Sequence, residues 1–264
     1  MTSDDTRTQV VVSMTSFPAA IHFAAPAVAS ILRGSVLPDK VVLYLTFAQF
    51  TDIPIPQELL DLQENNPRFE IRDYDRDIRS YRKLIPALHD FPEAVIVTVD
   101  DDTDYDRDML ASLLRMHRRY PEHIFAHRAK RIVPGETYKK WPKYRWYKFL
   151  THRLITRYST LQTGVAGVLY PPHSLREDML DAELFTKLAP TTDDIWFWAA
   201  AVANGRKIVP VPFGPHNKPK GLGKPRELSL KSVNFKRGAD ANDVALKTIL
   251  DHYPIVKQRL EEDD

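Results

Sequence analysis

The sequence predicts an α/β fold with a Rossmann-like, mostly parallel central sheet flanked by helices. Three observations predict it. Runs of β-branched residues alternate with segments of helical period over the first half of the chain, the order that builds parallel strands joined by crossover helices. Those runs are apolar throughout rather than alternating, as strands buried on both faces must be. A chain of 264 residues with 43% hydrophobic content also has enough apolar surface for one large core.

The first run, "QVVVSMTSFP", is a strand stopped by Pro18. In "AAPAVASILRG", Val28, Ile31 and Leu32 share a helical face and Gly34 supplies a stop, and "KVVLYLTF" is the second strand. "FEIRDY" reads as the third strand and "IRSYRKLIPALHDF" as a short helix broken near Pro86. A strand over 94–99 precedes a helix over about 106–120, where Met109, Leu110, Leu113 and Leu114 form the apolar face and Pro121 ends it. "HIFAHRA" is a further strand. "LQTGVAGVLYPP" reads as a strand thinned by Gly164 and Gly167, where something approaches the backbone closely. "TDDIWFWAAAVANG" begins with an Asp N-cap, propagates through alanines and stops at Asn204-Gly205, so it is a helix. "RKIVPVPF" is the last strand, followed by a Pro/Gly/Lys loop over 214–225 and a final helix near 243–253.

The chain has no cysteine. Disulfides, thiolate metal sites and a cysteine nucleophile are excluded, which leaves oxygen and imidazole as metal ligands. The segment "MTSDDTRTQ" is polar and acidic where a signal peptide would be basic and then apolar, and no run approaches the roughly 18 apolar residues of a membrane span. A cytoplasmic location is the expectation. Net charge is +2, but it is unevenly spread: residues 128–157 hold ten Lys/Arg against the single acid Glu136.

The strand over 94–99 runs straight into Asp100, Asp101, Asp102 and then Asp104. Carboxylates this close raise one another's pKa and cost stability unless a cation sits among them. Ligands of open α/β sheets bind beyond the carboxyl ends of the strands, where this cluster lies. Alternate residues at a strand end point the same way, so Asp100 and Asp102 can both reach one hard divalent cation or the groups it carries. Mg2+ or Mn2+ bridging a diphosphate is the natural occupant. Other patterns are present. Asp100, Asp101 and Asp104 spell the Asp-Asp-x-x-Asp of prenyl-diphosphate enzymes, which carry it on helices of all-α folds. An Asp-x-Asp-x-Thr phosphatase motif would follow the first strand and would not have Asp104 at its fifth position. The plainest alternative is a solvated loop whose aspartates cap the helix near 106.

With these elements in order, the chain resembles nucleotide-sugar glycosyltransferases of the GT-A type, in the style of glycosyltransferase family 2. Four segments carry the resemblance: "VVVSMTSFP" as first strand and nucleotide turn, "RSYRKLIPAL" as the cationic segment ahead of the Asp-x-Asp, "VTVDDDTDY" as the Asp-x-Asp itself, and "TTDDIWFWAAAVANGRKI" as the acidic-pair helix. The resemblance implies that Thr15, Ser16 and Phe17 contact the nucleoside, that Lys83 and Arg79 lie on the nucleotide side of the donor, and that Asp100 and Asp101 take part in nucleotide binding. It implies Asp102 and His216 as metal ligands for Mn2+ or Mg2+, Asp194 as catalytic base of an inverting transfer, and Asp193, Trp196 and Gly164 on the acceptor side. It also implies one GT-A catalytic domain over 1–215, with a nucleotide part over about 9–127 and an acceptor part over about 128–215, and a C-terminal lid loop and helix over 216–264. The expected donor is a UDP-linked sugar and the expected acceptor a glycan or lipid-linked glycan. The second strand departs from the pattern, ending in Leu45-Thr46 rather than an Asp pair.

Between 139 and 148, "KKWPKYRWYK" interleaves Trp141, Tyr144, Trp146 and Tyr147 with five cations. Rings and cations together suit a sugar, an anionic membrane surface or single-stranded nucleic acid. Within the transferase reading, the segment implies peripheral contact with the inner face of the membrane and no nucleic-acid partner. The competing reading is a non-enzymatic RNA- or membrane-binding module built on 128–157, with a structural aspartate loop.

Overall fold

The computed structural model describes residues 8–144, 154–212, 214, 218–228 and 240–263. Strand β1 (Val10–Thr15) leads through helix α1 (Ala24–Leu32) to β2 (Lys40–Leu45), and helix α2 (Gln57–Asn65) leads to β3 (Phe69–Asp73). Helix α3 (Ile85–Asp90) precedes β4 (Val95–Thr98), whose end turns through the aspartates into the two-residue β5 (Thr103–Asp104). Helix α4 (Met109–Arg119), β6 (Ile124–Ala126), β7 (Ala129–Arg131), β8 (Thr160–Gln162) and β9 (Val168–Tyr170) follow. Helix α5 (Ala182–Leu188), helix α6 (Asp193–Ala203), β10 (Ile208–Pro210) and β11 (Lys220–Gly221) come next, and two helices, Ala241–His252 and Pro254–Glu261, complete the described order.

The central sheet has seven strands in the order β10-β6-β9-β4-β1-β2-β3. Every neighbouring pair is parallel except those made by β9, which runs antiparallel to both β4 and β6. From β1 the chain builds outward through β2 and β3, then returns to add β4 on the opposite side of β1. The switch point of the topology therefore lies between the carboxyl ends of β1 and β4, where open α/β sheets form their crevice. Val12 is in register with Val41 on one side and Val97 on the other.

The period-2 geometry of the strands divides their apolar residues between two cores. Val10, Val12 and Met14 face one layer with Leu43, Val97 and the helix residues Val28, Ile31 and Leu113. Val11, Val42, Tyr44 and Ile96 face the other, which is filled by the aromatics of α6 and by Ala245, Ile249, Tyr253 and Val256 of the C-terminal helices. Those helices thus share the main core.

Two segments fold differently from the sequence expectation. Pro86 begins a helix rather than breaking one: a 3-10 turn over Arg79–Lys83 ends at Leu84, and α3 starts with Pro in its first turn, where its missing N–H costs nothing. The expected single strand in "LQTGVAGVLYPP" is two strands in different sheets, β8 with β7 and β9 in the centre, separated by a 3-10 turn over Gly164–Ala166. Gly167, at φ +97°, makes the exit from that turn, a backbone conformation L side chains rarely adopt. Helices α2 and α5 were not anticipated. Each has one fully buried apolar side chain, Leu59 and Phe185 respectively, too little periodicity to read.

Trp196, expected to meet an acceptor, is instead a core residue with 0% exposure. It packs edge-on to Phe185 and Tyr253, and its Nε1 donates to the Met179 carbonyl at 2.7 Å. Its neighbours Ile195, Phe197 and Trp198 are buried as well, because α6 lies under the sheet with apolar contacts all round. Trp196→Ala should cost about 3–5 kcal/mol of stability, the usual range for truncating a buried tryptophan. Trp196→Phe should cost less, with both differences read as shifts of the urea midpoint.

Candidate active site

The carboxyl end of β4 delivers Asp100, Asp101 and Asp102 into the crevice beside the end of β1, and the cations among them are lysines. Lys83, from the turn before α3, lies 3.3 Å from Asp100 Oδ1 and 3.0 Å from Asp193 Oδ2, with its side chain 9% exposed. Lys224, from the segment after β11, lies 3.0 Å from Asp101 Oδ1 and 3.4 Å from Asp102 Oδ2. Burial works against the Lys83 charge, yet Asp193, Asp100 and Asp194 around it hold its pKa well above the ordinary lysine value. Lys224 shows the same balance: burial lowers its pKa, Asp101 and Asp102 outweigh that, and the net direction is up.

A buried arginine shapes the other wall. Arg82 donates from Nε to Thr15 Oγ1 at 2.8 Å and from its terminal nitrogens to the Ser16 carbonyl at 2.7 Å and to Thr46 Oγ1. Thr15 Oγ1 in turn donates to the Tyr44 carbonyl at 2.8 Å. Ser16 Oγ donates to Asp101 Oδ2, which ties the turn after β1 to the end of β4. Asp101 is 5% exposed, and burial raises its pKa against the lowering influence of Lys224 and Ser16.

Gly164 occupies the point where these elements meet. Its N–H donates to Asp194, 3.2 Å from Oδ1 and 3.3 Å from Oδ2. A Cβ at this position would stand 2.8 Å from Lys83 Nζ, 3.4 Å from Asp194 Oδ1 and 3.7 Å from Asp100 Oδ1. The close approach expected at this glycine is therefore that of the Lys83 ammonium. Asp194 is partly buried in the first turn of α6. Burial first, then the charge of Asp193, pushes its carboxyl up to about 7, while Lys83 and the Gly164 N–H pull the other way.

The sequence matches no protein-family model and no curated protein. Solved structures do match. The mannosyltransferase PcManGT from Pyrobaculum calidifontis, solved with GDP-Man and Mn2+, aligns with a TM-score of 0.54 at 14% identity, over 98% of this chain and 75% of its own. S. aureus TarS, residues 1–349, aligns with a TM-score of 0.53 at 12% identity, over 92% of this chain and 71% of its own. The fold is GT-A.

Within this GT-A frame several expected site residues meet partners within the protein. Asp193, expected on the acceptor side, is 5% exposed and bound to Lys83. It does not cap α6, whose N-cap is Thr192 with no side-chain capping bond. Lys83, expected on the nucleotide side, is paired here with two carboxylates of the protein, Asp100 and Asp193. The Ser16 hydroxyl and the Asp101 carboxylate are committed to each other, and the Thr15 hydroxyl to Tyr44 and Arg82. Of the expected nucleoside contacts, Phe17 keeps a partly exposed surface, with Lys224 Nζ 5.3 Å from its ring centroid. Arg79 is exposed at the start of its turn, and Arg82, three residues on, is the arginine that reaches the crevice. Nothing in "RSYRK" distinguishes the two, and nothing in the Pro/Gly/Lys loop marks Lys224. His216 lies outside the described residues, as do residues 145–148 of the basic aromatic segment. In that segment Trp141 is 2% exposed with its Nε1 bonded to the Glu136 carbonyl, so it offers no ring for stacking on a base or sugar.

The Lys83 bridge yields a test of the geometry. Lys83→Met should cost roughly 3–5 kcal/mol, because it leaves Asp193 and Asp100 without their counter-charge. Adding Asp193→Asn to that variant should recover part of the loss. Urea midpoints of the single and double variants measure both effects.

Proposed function

We propose that this protein transfers a sugar from a nucleotide-sugar donor to a hydroxyl of a glycan or lipid-linked glycan, with inversion at the anomeric carbon. One observation carries the proposal: Asp194, a partly buried carboxyl poised at about 7, stands next to Asp100 at the switch point of a GT-A sheet. A sugar hydroxyl is a weak nucleophile and needs a base within hydrogen-bond reach whose pKa lies near the working pH. Asp194 has a carboxyl in that range, and its bonds from Gly164 fix its direction. The PcManGT structure, with GDP-Man and Mn2+ bound, supports a donor of this class on this fold.

The fit of a divalent ion rests on charge. Asp100, Asp101, Asp102, Asp193 and Asp194 face only the ammonium groups of Lys83 and Lys224 across the described ion pairs and nearest charges. The cluster stays anionic, and a donor diphosphate entering it would be repelled without further positive charge. Carboxylate oxygens suit Mn2+ or Mg2+, and Asp102, with its side chain 28% exposed, is the residue that would hold the ion. Among the described residues no three His, Asp or Glu converge on one point, so Asp102 would share the ion with the donor's phosphates. Such an ion would supply charge neutralisation to the departing diphosphate. The chain's own residues do the rest. Asp100 faces the donor with Lys83 behind it, Phe17 offers a surface to the base, and Asp194 takes the acceptor proton.

Nucleoside diphosphates and their sugars should raise the melting temperature in the presence of Mn2+, and Asp102→Asn should remove that metal-dependent shift without unfolding the protein. No shift with any nucleotide, with or without metal, would end the nucleotide reading. Transfer should rise with pH through about 7 and level off above it, as the Asp194 carboxyl ionises. Asp194→Asn should keep donor binding and lose on the order of 10²-fold or more in kcat. Retained anomeric configuration in the product would remove Asp194 from the role. Stability carries the opposite sign. Native Asp194 keeps its proton to about 7 against an ordinary value of 3.8, so the native state binds more protons across that window and stability falls as pH rises through it. Asp194→Asn should flatten that fall in a pH series of urea midpoints.

A further inference from the structure

Lys224 comes to the carboxylate cluster from outside the sheet, on a strap held by its backbone. Lys220 and Gly221 pair antiparallel with Asp104 and Thr103, and the Leu222 N–H donates to the Asp102 carbonyl at 2.8 Å. The strap is thus hydrogen-bonded to the same residues whose side chains its lysine meets. The ammonium sits 3.0 Å from Asp101 Oδ1, 3.4 Å from Asp102 Oδ2 and 5.3 Å from the Phe17 ring centroid, with the side chain 13% exposed. In the nucleotide-sugar reading, this space between Asp102 and Phe17 belongs to the diphosphate and its counter-ion.

A divalent ion coordinated by Asp102 would lie close to this ammonium, and two cations at that separation repel strongly in a partly buried site. The two partners of Lys224 are not equivalent. Asp101 is buried and anchored by Ser16, so it stays in place as a counter-charge, whereas Asp102 is the more exposed and the longer contact. A lysine stem has four rotatable carbons, enough for the ammonium to leave Asp102 while the strap remains paired to β5.

We propose that Lys224 is a donor-site residue that holds the cation's place at Asp101 and Asp102 while the donor is absent, and turns onto the donor diphosphate when a divalent ion takes Asp102. The inference rests on the nucleotide-sugar reading for its second half. It makes opposite demands on the two ligands. Removing the ammonium frees Asp102 for the metal and at the same time takes one positive charge from the diphosphate.

Lys224→Ala and Lys224→Gln, each first shown to melt as the wild type does, are titrated calorimetrically with Mn2+ alone, then with UDP and GDP in saturating Mn2+. The expected result is a crossed pair: Mn2+ alone binds about tenfold more tightly to the variants, and the nucleoside diphosphate about tenfold more weakly. Lys224→Arg keeps the charge and should stay near wild type in both titrations. Variants that bind Mn2+ no more tightly than wild type overturn the place-holding role, and unchanged nucleotide affinity overturns the donor contact. A wild-type protein that binds Mn2+ but neither UDP nor GDP refutes the nucleotide reading and the donor contact together, while the Mn2+ titration still decides whether Lys224 holds the cation's place.

Discussion

One ammonium organises this site. Lys83 stands between Asp100, at the end of β4, and Asp193, at the start of α6. A buried ammonium is tolerated only when carboxylates repay its lost hydration, and each of these carboxylates is in turn tolerated because the ammonium is there. The bridge therefore holds the carboxyl end of the sheet and the first turn of α6 at a fixed separation. A Cβ at Gly164 would stand 2.8 Å from the Lys83 nitrogen and would push the ammonium off its bridge. Asp194 is placed by the same arrangement, one residue beyond the bridge and hydrogen-bonded by the backbone of that glycine.

The second wall is rigid for a different reason. Arg82 spreads its fork over Thr15, Ser16 and Thr46, three groups at the ends of β1 and β2. Guanidinium geometry fixes direction as well as distance, so the turn after β1 has little freedom. Through the Ser16 hydroxyl that order reaches Asp101, and through Asp101 it reaches the strap lysine. Two adjacent residues of one 3-10 turn, Arg82 and Lys83, thus tie the ends of β1 and β2 and the ends of β4 and α6 to a single turn. Sites that act on a reacting atom depend on such preorganisation.

The fold was legible in the sequence because its strands are buried on both faces. Runs such as "QVVVSM" and "KVVLYL" admit little but a central strand, and their order implies the parallel sheet. The aspartate cluster was legible as a problem in charge, and its place at a strand end gave the location of the site. What was hidden depends on distant partners. Lys83 was named through its cationic segment but toward the nucleotide, and its pairing with Asp100 and Asp193 was invisible, as was Lys224 altogether, since these contacts join segments far apart in the chain. Asp193 and Asp194 are adjacent and chemically identical, and their different fates follow from which one meets Lys83. Trp196 read as a ligand surface because its helix begins with acids, but the packing of α6 under the sheet buries every aromatic in it. The splitting of "LQTGVAGVLYPP" turned on Gly167, whose positive φ ends one path and redirects the chain.

Burial first, and then the aspartate knot, explain why the Asp194 carboxyl in this site is pushed up to about 7. Two lysines cannot satisfy five carboxylates, and the deficit has to appear somewhere. Asp100 and Asp193 share Lys83, while Asp101 and Asp102 share Lys224. Among the described residues Asp194 has no ammonium of its own: it receives the Gly164 N–H and the more distant field of Lys83, against burial and the charge of Asp193. The cheapest way to reduce repulsion among like charges is for one of them to keep its proton, and the carboxyl without a lysine is the one that does. The same deficit leaves the crevice open to an added cation. An incoming positive charge near Asp102 would relieve the repulsion among the carboxylates around it. An added cation and a retained proton are in this way two answers to one crowding of carboxylates in a buried crevice.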